Sequence, residues 1–162
     1  MTVCAKRKER TVRFLPIGLD VKGRPVLVVG GGKVALQKLR TILLFDPQVT
    51  VLSPEILPEI EALPVTCVYA RFSKTWLKKM LLVYACTSDR RTNRRIAREA
   101  SAAGILCNVA DDTDACVFIS PAVHVAGDLI VTVNSQGRNP KLAREARDFV
   151  GENVHDFLRC RH

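Results

Sequence analysis

The stretch Val26-Leu27-Val28-Val29-Gly30-Gly31-Gly32-Lys33-Val34-Ala35 decides the fold of this chain. Its first four residues are apolar and mostly β-branched, which favours a buried strand, and residues 34–45 continue with apolar side chains at helical spacing. Between them, Gly30, Gly32 and Ala35 fit the Gly-x-Gly-x-x-Gly/Ala pattern of dinucleotide-binding turns. Strand, glycine-rich turn and helix in this order predict an α/β unit that holds a phosphate.

The residue types of this turn suit a dinucleotide. Gly32 lacks the side chain that would block a pyrophosphate, and the small Ala35 lets the helix approach the sheet. Free N–H groups at the helix start attract phosphate, and the helix dipole adds to the attraction. We therefore predict cofactor binding at the turn, by Gly30, Gly31, Gly32, Lys33 and Val34.

The acid that usually follows the second strand and binds the adenosine ribose is replaced by Leu52-Ser53-Pro54. Glu55 is close, but Ser53-Pro54-Glu55 also has the residue types that start a helix. Either Ser53 and its backbone hold the ribose hydroxyls, or the absent acid leaves room for a 2′-phosphate. We favour NAD over NADP and predict Ser53 and Pro54 as cofactor-binding residues.

The rest of the chain alternates short apolar runs with amphipathic segments, as in strand-helix-strand units. Strands are predicted at residues 26–29, 49–52, 65–69, 81–86, 105–109 and 129–133. Helices are predicted at residues 34–45, 53–64, 90–103 and 139–158, the last with an apolar stripe of Leu142, Ala146, Phe149 and Val150. The fold class is α/β, with a Rossmann-like, doubly wound and mainly parallel sheet of six strands.

Composition and charge narrow the function classes. The chain has 162 residues and a net charge of +9, enough for one core and attractive to an anionic partner. With few aromatics and dispersed basic groups, a nucleic-acid binder is the less favoured interpretation. No apolar run approaches a membrane span, and the basic start lacks a secretory pattern, so we expect a cytoplasmic protein. The six cysteines show no zinc spacing, so we predict no metal site.

Two polar segments are candidates for chemistry. Asp111, Asp112 and Asp114 follow the strand at residues 105–109, at the sheet edge where ligands bind in open α/β folds. Mutual repulsion of these acids would raise the pKa of at least one, making it a proton acceptor, although an ordinary acidic turn is the alternative. The loop at residues 134–140 either presents N–H groups to an anion or makes a capped turn. His124 could face the core or a cleft.

Together these segments resemble the precorrin-2 dehydrogenase / sirohydrochlorin ferrochelatase family, the domain found in siroheme synthase. The resemblance covers about residues 12–150. It rests on a lead-in strand at residues 14–23, the glycine turn, Ser53-Pro54-Glu55, Ala85-Cys86-Thr87-Ser88-Asp89 with Asn93, Asn108-Val109-Ala110-Asp111-Asp112, Phe118-Ile119-Ser120-Pro121-Ala122 and residues 135–147.

The resemblance implies that precorrin-2, a reduced tetrapyrrole with eight carboxylates, loses a hydride to NAD and a proton to give sirohydrochlorin. Fe²⁺ or Co²⁺ insertion could follow. Asp111 matches the family's catalytic aspartate. Gly30, Gly32, Ser53, Thr87 and Asn108 match its cofactor-side residues, and Ser135, with Asn139 and His124, is expected on the substrate side.

The family also implies a homodimer formed through the final strand and helix. We expect an NAD-binding unit at residues 1–113 and a dimerisation and substrate-pocket element at residues 114–162. Most of the family's further C-terminal helical segment is absent from this sequence. The alternative is a non-catalytic module that binds NAD or a tetrapyrrole as a sensor, carrier or subunit.

Overall fold

The main body of the protein is a parallel five-stranded sheet. The structure, a computed structural model, describes residues 12–160. The strands are β1 (Pro25–Val29), β2 (Gln48–Leu52), β3 (Thr66–Val68), β4 (Leu82–Ala85) and β5 (Leu106–Val109), in the order β3-β2-β1-β4-β5. The predicted Rossmann-like α/β class is thus confirmed, with β1 in the centre because its apolar run is buried along both faces.

Helices cover both faces of this sheet. They are α1 (Lys33–Ile42), continued by a 3-10 turn at Leu43–Phe45, the short α2 (Pro58–Glu61), and α3 (Arg90–Ala102). Alternate residues of β1 point to opposite sides: Val26 and Val28 pack in the cluster that contains α1, whereas Leu27 and Val29 pack in the cluster that contains α3. The sheet is therefore doubly wound, as predicted.

The predicted helix start at Ser53-Pro54-Glu55 is wrong, because α2 begins only at Pro58. The loop before it is held against the glycine-rich turn, with the Leu57 N–H donating to the Gly31 carbonyl oxygen at 2.9 Å. This contact keeps the backbone after β2 out of a helix. The expected lead-in strand at residues 14–23 is not formed either: this segment lies outside both sheets and ends in a turn at Lys22 and Gly23.

The sixth predicted strand does not join the parallel sheet. It forms β7 (Leu129–Val133), which pairs antiparallel with β6 (Ala122–Ala126), a strand that the sequence analysis did not predict. Only Gly127 and Asp128 connect the two strands, and a two-residue connection can join antiparallel neighbours only, since a parallel pair needs a crossover of a dozen or more residues. The Gly-Asp pair was the missed hairpin signal.

The long helix α4 (Pro140–Arg159) packs on the β6–β7 hairpin. Its predicted apolar stripe is partly wrong. Ala143 is buried, but Leu142 is 55% exposed and Phe149 is 68% exposed. The reason is that the hairpin is only two strands wide, so it covers one side of the helix and leaves these two residues outside. Within residues 12–160, no helix is long and apolar enough to cross a membrane.

Candidate functional site

Two of the three glycines in the turn after β1 are required by the protein's own packing. Gly30 has φ 120°, and a Cβ there would lie 2.4 Å from the Cys86 carbonyl oxygen. A Cβ on Gly31 would lie 2.1 Å from the carbonyl oxygen of Glu55. The turn is therefore clamped between the loops that follow β4 and β2, and neither position has room for a side chain.

Gly32 is different, because within residues 12–160 no residue other than its own chain neighbours comes within 4 Å of the position of its missing Cβ. Its φ of −95° is open to any residue, so neither packing nor backbone conformation requires glycine here. The space beside Gly32 is left free above the start of α1. A bound group could therefore approach the backbone closely at this position.

The N-terminus of α1 supplies the donors for such a group. Gly32 is the N-cap and, in the described part of the chain, no side chain caps the helix and no acid stands in its first turn. The first-turn N–H groups thus have no partner inside the helix, and the helix dipole makes this end positive. Lys33 and Val34 are exposed beside them. A dinucleotide pyrophosphate fits this cradle.

The predicted ribose-side residues lie next to the turn. Ser53 and Pro54 follow β2, which is parallel to β1, so both strands end at the same edge of the sheet. The Ser53 N–H donates to the Val68 carbonyl oxygen at 3.1 Å, and the Ser53 side chain is half-buried. Glu55 is exposed in the loop and lies outside α2.

On the other side of β1, one buried amide links the segments that follow β4 and β5. Asn93 of α3 is fully buried. Its Oδ1 accepts hydrogen bonds from the Thr87 N–H at 3.0 Å and from the Thr87 hydroxyl at 2.7 Å. Its Nδ2 donates to the Thr87 carbonyl oxygen and to Asp111 Oδ1, both at 3.0 Å. The structure thus brings Thr87 and Asp111 together.

The three strand-end acids have different surroundings. The Asp111 side chain is 43% exposed, and its Oδ2 lies 3.9 Å from Arg90 Nε. Asp112 is only 12% exposed and pairs with Arg94 Nε at 3.0 Å, while Asp114 is almost fully exposed and pairs with Arg13. Each carboxylate therefore has its own arginine.

These pairings change the electrostatics that the sequence predicted. The hydrogen bond from the Arg94 guanidinium lowers the pKa of Asp112 from its ordinary value of 3.8, the opposite of the rise that mutual repulsion would give. Asp112 therefore fits the alternative of an ordinary acidic turn, because the Arg94 guanidinium stabilises its charged form. Asp111 keeps the more open position of the two.

Asn108, predicted on the cofactor side, is buried in β5. Its Nδ2 donates to the Phe118 carbonyl oxygen at 3.0 Å, so it holds the segment after the acidic turn against the sheet. Its Oδ1 is buried without a hydrogen-bond partner in the described part of the chain. The same segment is fixed by Cys116, whose Sγ accepts from the Val109 N–H at 3.1 Å.

The predicted substrate-side residues belong to the second unit. Asn139 caps α4 by accepting from the Leu142 N–H at 3.0 Å, and Ser135 Oγ accepts from the Asn139 N–H at 2.8 Å. The loop is thus a capped turn, one of the two predicted alternatives. His124 lies in β6 against α4, where a Cβ on Gly151 would be 2.8 Å from its Nδ1.

The loop before α4 lies directly beside the acidic turn, where a Cβ on Gly137 would be 2.5 Å from Thr113 Cγ2. A cavity of about 210 Å³ opens at this junction, with Arg13, Phe14, Gln136 and Arg138 on its wall. No role was predicted from the sequence for Gln136, Arg13 or Asn93. Only Asn93 had a signal: it is a polar residue on the otherwise apolar stripe of α3.

A parallel sheet with a glycine-rich turn at its central strand and an uncapped helix behind it defines a dinucleotide-binding domain of the Rossmann-like class. Residues 17–122 match the family described as "Putative NAD(P)-binding". The chain belongs to this family, which confirms the predicted nicotinamide dinucleotide cofactor.

Known relatives also confirm the predicted family resemblance. The chain is 39% identical over 140 residues to the siroheme synthase of Chromobacterium violaceum, covering 84% of this chain and 30% of the relative. It is 37% identical over 139 residues to the siroheme synthase of Nitrosomonas europaea, covering 83% of this chain and 29% of the relative. The chain thus spans less than a third of the length of these siroheme synthases.

Among solved structures, the chain is similar to SirC, a precorrin-2 dehydrogenase, with a TM-score of 0.71 at 24% identity. The likeness covers 86% of this chain and 71% of that one. At this identity the comparison confirms the fold.

Proposed function

We propose that this chain oxidises precorrin-2 to sirohydrochlorin with NAD as the hydride acceptor, a step of siroheme biosynthesis. One observation carries the proposal: the open cradle at Gly32 and the half-exposed carboxylate of Asp111 follow β1 and β5, parallel strands that end at the same edge of the sheet. The names of the relatives, siroheme synthase and precorrin-2 dehydrogenase, support the same reaction.

The reaction divides two hydrogens of the substrate between two acceptors. NAD, when bound, takes one hydrogen with its electron pair. The other leaves as a proton, and Asp111 is the residue we propose to receive it. One oxygen of this carboxylate is held by Asn93, while the other lies 3.9 Å from Arg90 Nε and is free to accept a proton.

The cofactor residues would each have a distinct task. The N–H groups at the start of α1 would hold the pyrophosphate, with Gly30, Gly31 and Gly32 leaving the backbone bare. Lys33 and Val34 would flank it, Ser53 and Pro54 would meet the adenosine ribose, and Thr87 and Asn108 would lie on the nicotinamide side. The lack of an acid after β2 does not by itself distinguish NAD from NADP. The preference for NAD therefore stays a prediction.

The substrate is a polycarboxylate, and the protein is strongly basic, with a net charge of +9. The loop before α4 would contact the substrate through Ser135 and Asn139. His124, in strand β6 of the hairpin, would also contact the substrate. Arg138 of this loop is exposed and has no ion pair within residues 12–160. A substrate carboxylate that binds in this cavity could form an ion pair with the Arg138 guanidinium.

The protein would act as a homodimer. We propose that residues 1–113 form the NAD-binding unit and residues 114–162 the dimerisation and substrate-pocket element, although residues 1–11 and 161–162 lie outside the described chain. Val125 and Ile130 are cross-strand neighbours on the hairpin and both are exposed, as are Leu142 and Phe149 of α4. A second copy that covers these side chains would remove them from water.

We also propose that the protein works in the cytoplasm. The five cysteines within residues 12–160 are free thiols, as expected of a protein in a reducing compartment.

The decisive experiment gives the purified protein precorrin-2 and NAD and follows NADH formation. We expect NADH and sirohydrochlorin in equal amounts. Affinity for NAD or the tetrapyrrole without NADH would favour the non-catalytic module, and salt-sensitive binding to DNA or RNA without NAD affinity would favour a nucleic-acid binder. Adding Fe²⁺ to the product tests whether the same protein inserts the metal.

Asp111→Ala should lower turnover by about 100-fold or more, the usual size of a general-base effect, while NAD binding remains. Glu59→Ala is the control, because it removes an exposed carboxylate of α2 that has no ion pair within residues 12–160. If Asp111→Ala oxidises precorrin-2 at the wild-type rate, Asp111 is not the proton acceptor.

A further inference from the structure

The buried amide of Asn93 is fully hydrogen-bonded, and its partners belong to both Thr87 and Asp111. The side chain makes four hydrogen bonds. Its Oδ1 accepts two from Thr87, and its Nδ2 donates one to the Thr87 carbonyl oxygen and one to Asp111. This uses both amide hydrogens and both acceptor positions of the oxygen. Asn93 is also fully buried, so water cannot replace any of these bonds at low cost.

The direction of this amide is fixed by its surroundings. The Thr87 backbone N–H can only donate, so it requires the oxygen of Asn93, at 3.0 Å. The Thr87 carbonyl can only accept, so it requires the amide nitrogen, also at 3.0 Å. With both backbone groups satisfied, the remaining hydrogen of Nδ2 points to Asp111. If the amide were flipped, its oxygen would face the Thr87 carbonyl oxygen and Asp111 Oδ1, which are both acceptors, and neither hydrogen bond could form.

We propose that Asn93 is a positioning residue that orients the Asp111 carboxylate as the proton acceptor and fixes it relative to Thr87 on the cofactor side. The inference rests on the proposed function, in which Asp111 receives the substrate proton. Asn93 donates to Oδ1 and leaves Oδ2 available, so it selects which oxygen reacts.

Other groups around Asp111 cannot do the same. Arg90 of α3 lies 3.9 Å from Oδ2, too far for a hydrogen bond, and is exposed to solvent. The neighbouring Asp112 is paired with Arg94, and the buried Cys86 thiol at the end of β4 also lies within electrostatic range of Asp111. Asn93 is the group that joins Asp111 to the loop after β4 by a direct bond.

The variant Asn93→Asp tests this role. It keeps an oxygen towards the Thr87 N–H but replaces the nitrogen that donates to Asp111 and to the Thr87 carbonyl oxygen by a second carboxylate oxygen. We expect turnover to fall about 10-fold or more, as for a misplaced catalytic group, and the acidic limb of the pH–rate profile to move to higher pH. NAD affinity should fall less than turnover does, because the glycine turn that would hold the pyrophosphate is unchanged and the variant affects the cofactor side through Thr87 alone.

A second variant, Asn93→Ser, removes the donor without adding a charge. We expect a similar loss of turnover with a smaller shift of the pH–rate profile. Ser101→Asp is the control, because it places the same new charge at an exposed position near the other end of α3. It should leave both turnover and the pH profile unchanged.

The outcomes separate the inference from the proposed function. Wild-type turnover and pH profile in either Asn93 variant, with Asp111→Ala inactive, would overturn the role of Asn93 alone. Wild-type turnover in Asp111→Ala, or no NADH from the wild-type protein, would overturn the proposed function and this inference with it. A loss of turnover in Ser101→Asp equal to that in Asn93→Asp would show that general charge, and not the bond to Asp111, is responsible.

Discussion

The side chain of Gln136 is hydrogen-bonded to the backbone of Phe14, 122 residues earlier in the chain. Gln136 Oε1 accepts from the Phe14 N–H at 2.8 Å and from the Arg13 N–H at 3.0 Å, and its Nε2 lies 3.4 Å from the Phe14 carbonyl oxygen. This one side chain joins the segment before β1 to the loop before α4. It therefore connects the dinucleotide-binding unit with the hairpin unit beside the cavity.

Gln136→Ala should lower the free energy of unfolding by about 1 to 2 kcal/mol, because two backbone N–H groups lose their acceptor. Urea denaturation measures the change. Gln37→Ala is the control, since Gln37 is exposed on α1 and should have little effect. Equal losses in the two variants would contradict the role of Gln136.

Gly32→Val should abolish NAD binding and leave the fold intact. Its side chain would enter the space beside the start of α1, where no residue of 12–160 other than the chain neighbours of Gly32 comes within 4 Å of the Cβ position. Gly30→Ala should instead lower the melting temperature, because its Cβ would lie 2.4 Å from the Cys86 carbonyl oxygen. NAD titration and thermal unfolding of both variants make the test, and unchanged NAD affinity in Gly32→Val would place the cofactor elsewhere.

The ion pair of Asp112 with Arg94 should stabilise the fold in a pH-dependent way. The Arg94 hydrogen bond holds the pKa of Asp112 below its ordinary value of 3.8, so the folded protein binds this proton more weakly than the unfolded chain. The stabilisation is complete above that value and is lost as the pH falls through the lower pKa of the folded state.

Asp112→Asn should therefore melt below the wild type at neutral pH, with a difference that shrinks in acid below about pH 4. Melting curves between neutral and acidic pH measure it. Asp114→Asn should change the melting temperature less, because the Asp114 side chain is 98% exposed in its pair with Arg13. A difference for Asp112→Asn that does not depend on pH would argue against the ion pair.

The exposed apolar side chains of α4 should form part of a dimer interface. Changing Leu142 and Phe149 together to Glu should convert a dimer into a monomer, because buried charges without partners are costly. Light scattering after gel filtration gives the mass. Leu44→Glu, at an exposed apolar residue after α1, is the control and should remain dimeric. A monomeric wild type would contradict this interface.

Much of the dinucleotide-binding unit was predictable because its signals are local. Each strand of the parallel sheet is a short apolar run, and Gly30, Gly32 and Ala35 fit the spacing of dinucleotide-binding turns. Element ends were less predictable: the loop between Ser53 and Leu57 has the residue types of a helix start, but its contact with Gly31 keeps it open. This contact depends on a turn some 25 residues earlier in the chain, so it cannot be predicted from local propensity.

The candidate site was predicted in part for the same reason. Asp111 follows a strand, and strand ends mark the ligand edge of an open α/β sheet, so its position could be read from the order of elements. That Asp112 and Asp114 are paired with Arg94 and Arg13 could not, because both arginines come from other segments of the chain. The partners of a surface charge depend on how helices and loops pack.

By itself, the sequence determined the α/β class, the glycine turn and the positions of the five strands in the parallel sheet, to which it wrongly added a sixth. Each of these features depends on apolar periodicity or on backbone freedom within a few residues. Tertiary structure alone decided that β7 pairs with β6, that Phe149 stays exposed, and that Asn93 reaches Asp111. These outcomes need contacts between distant segments, and many apolar runs and polar side chains compete for each such contact until the chain has packed.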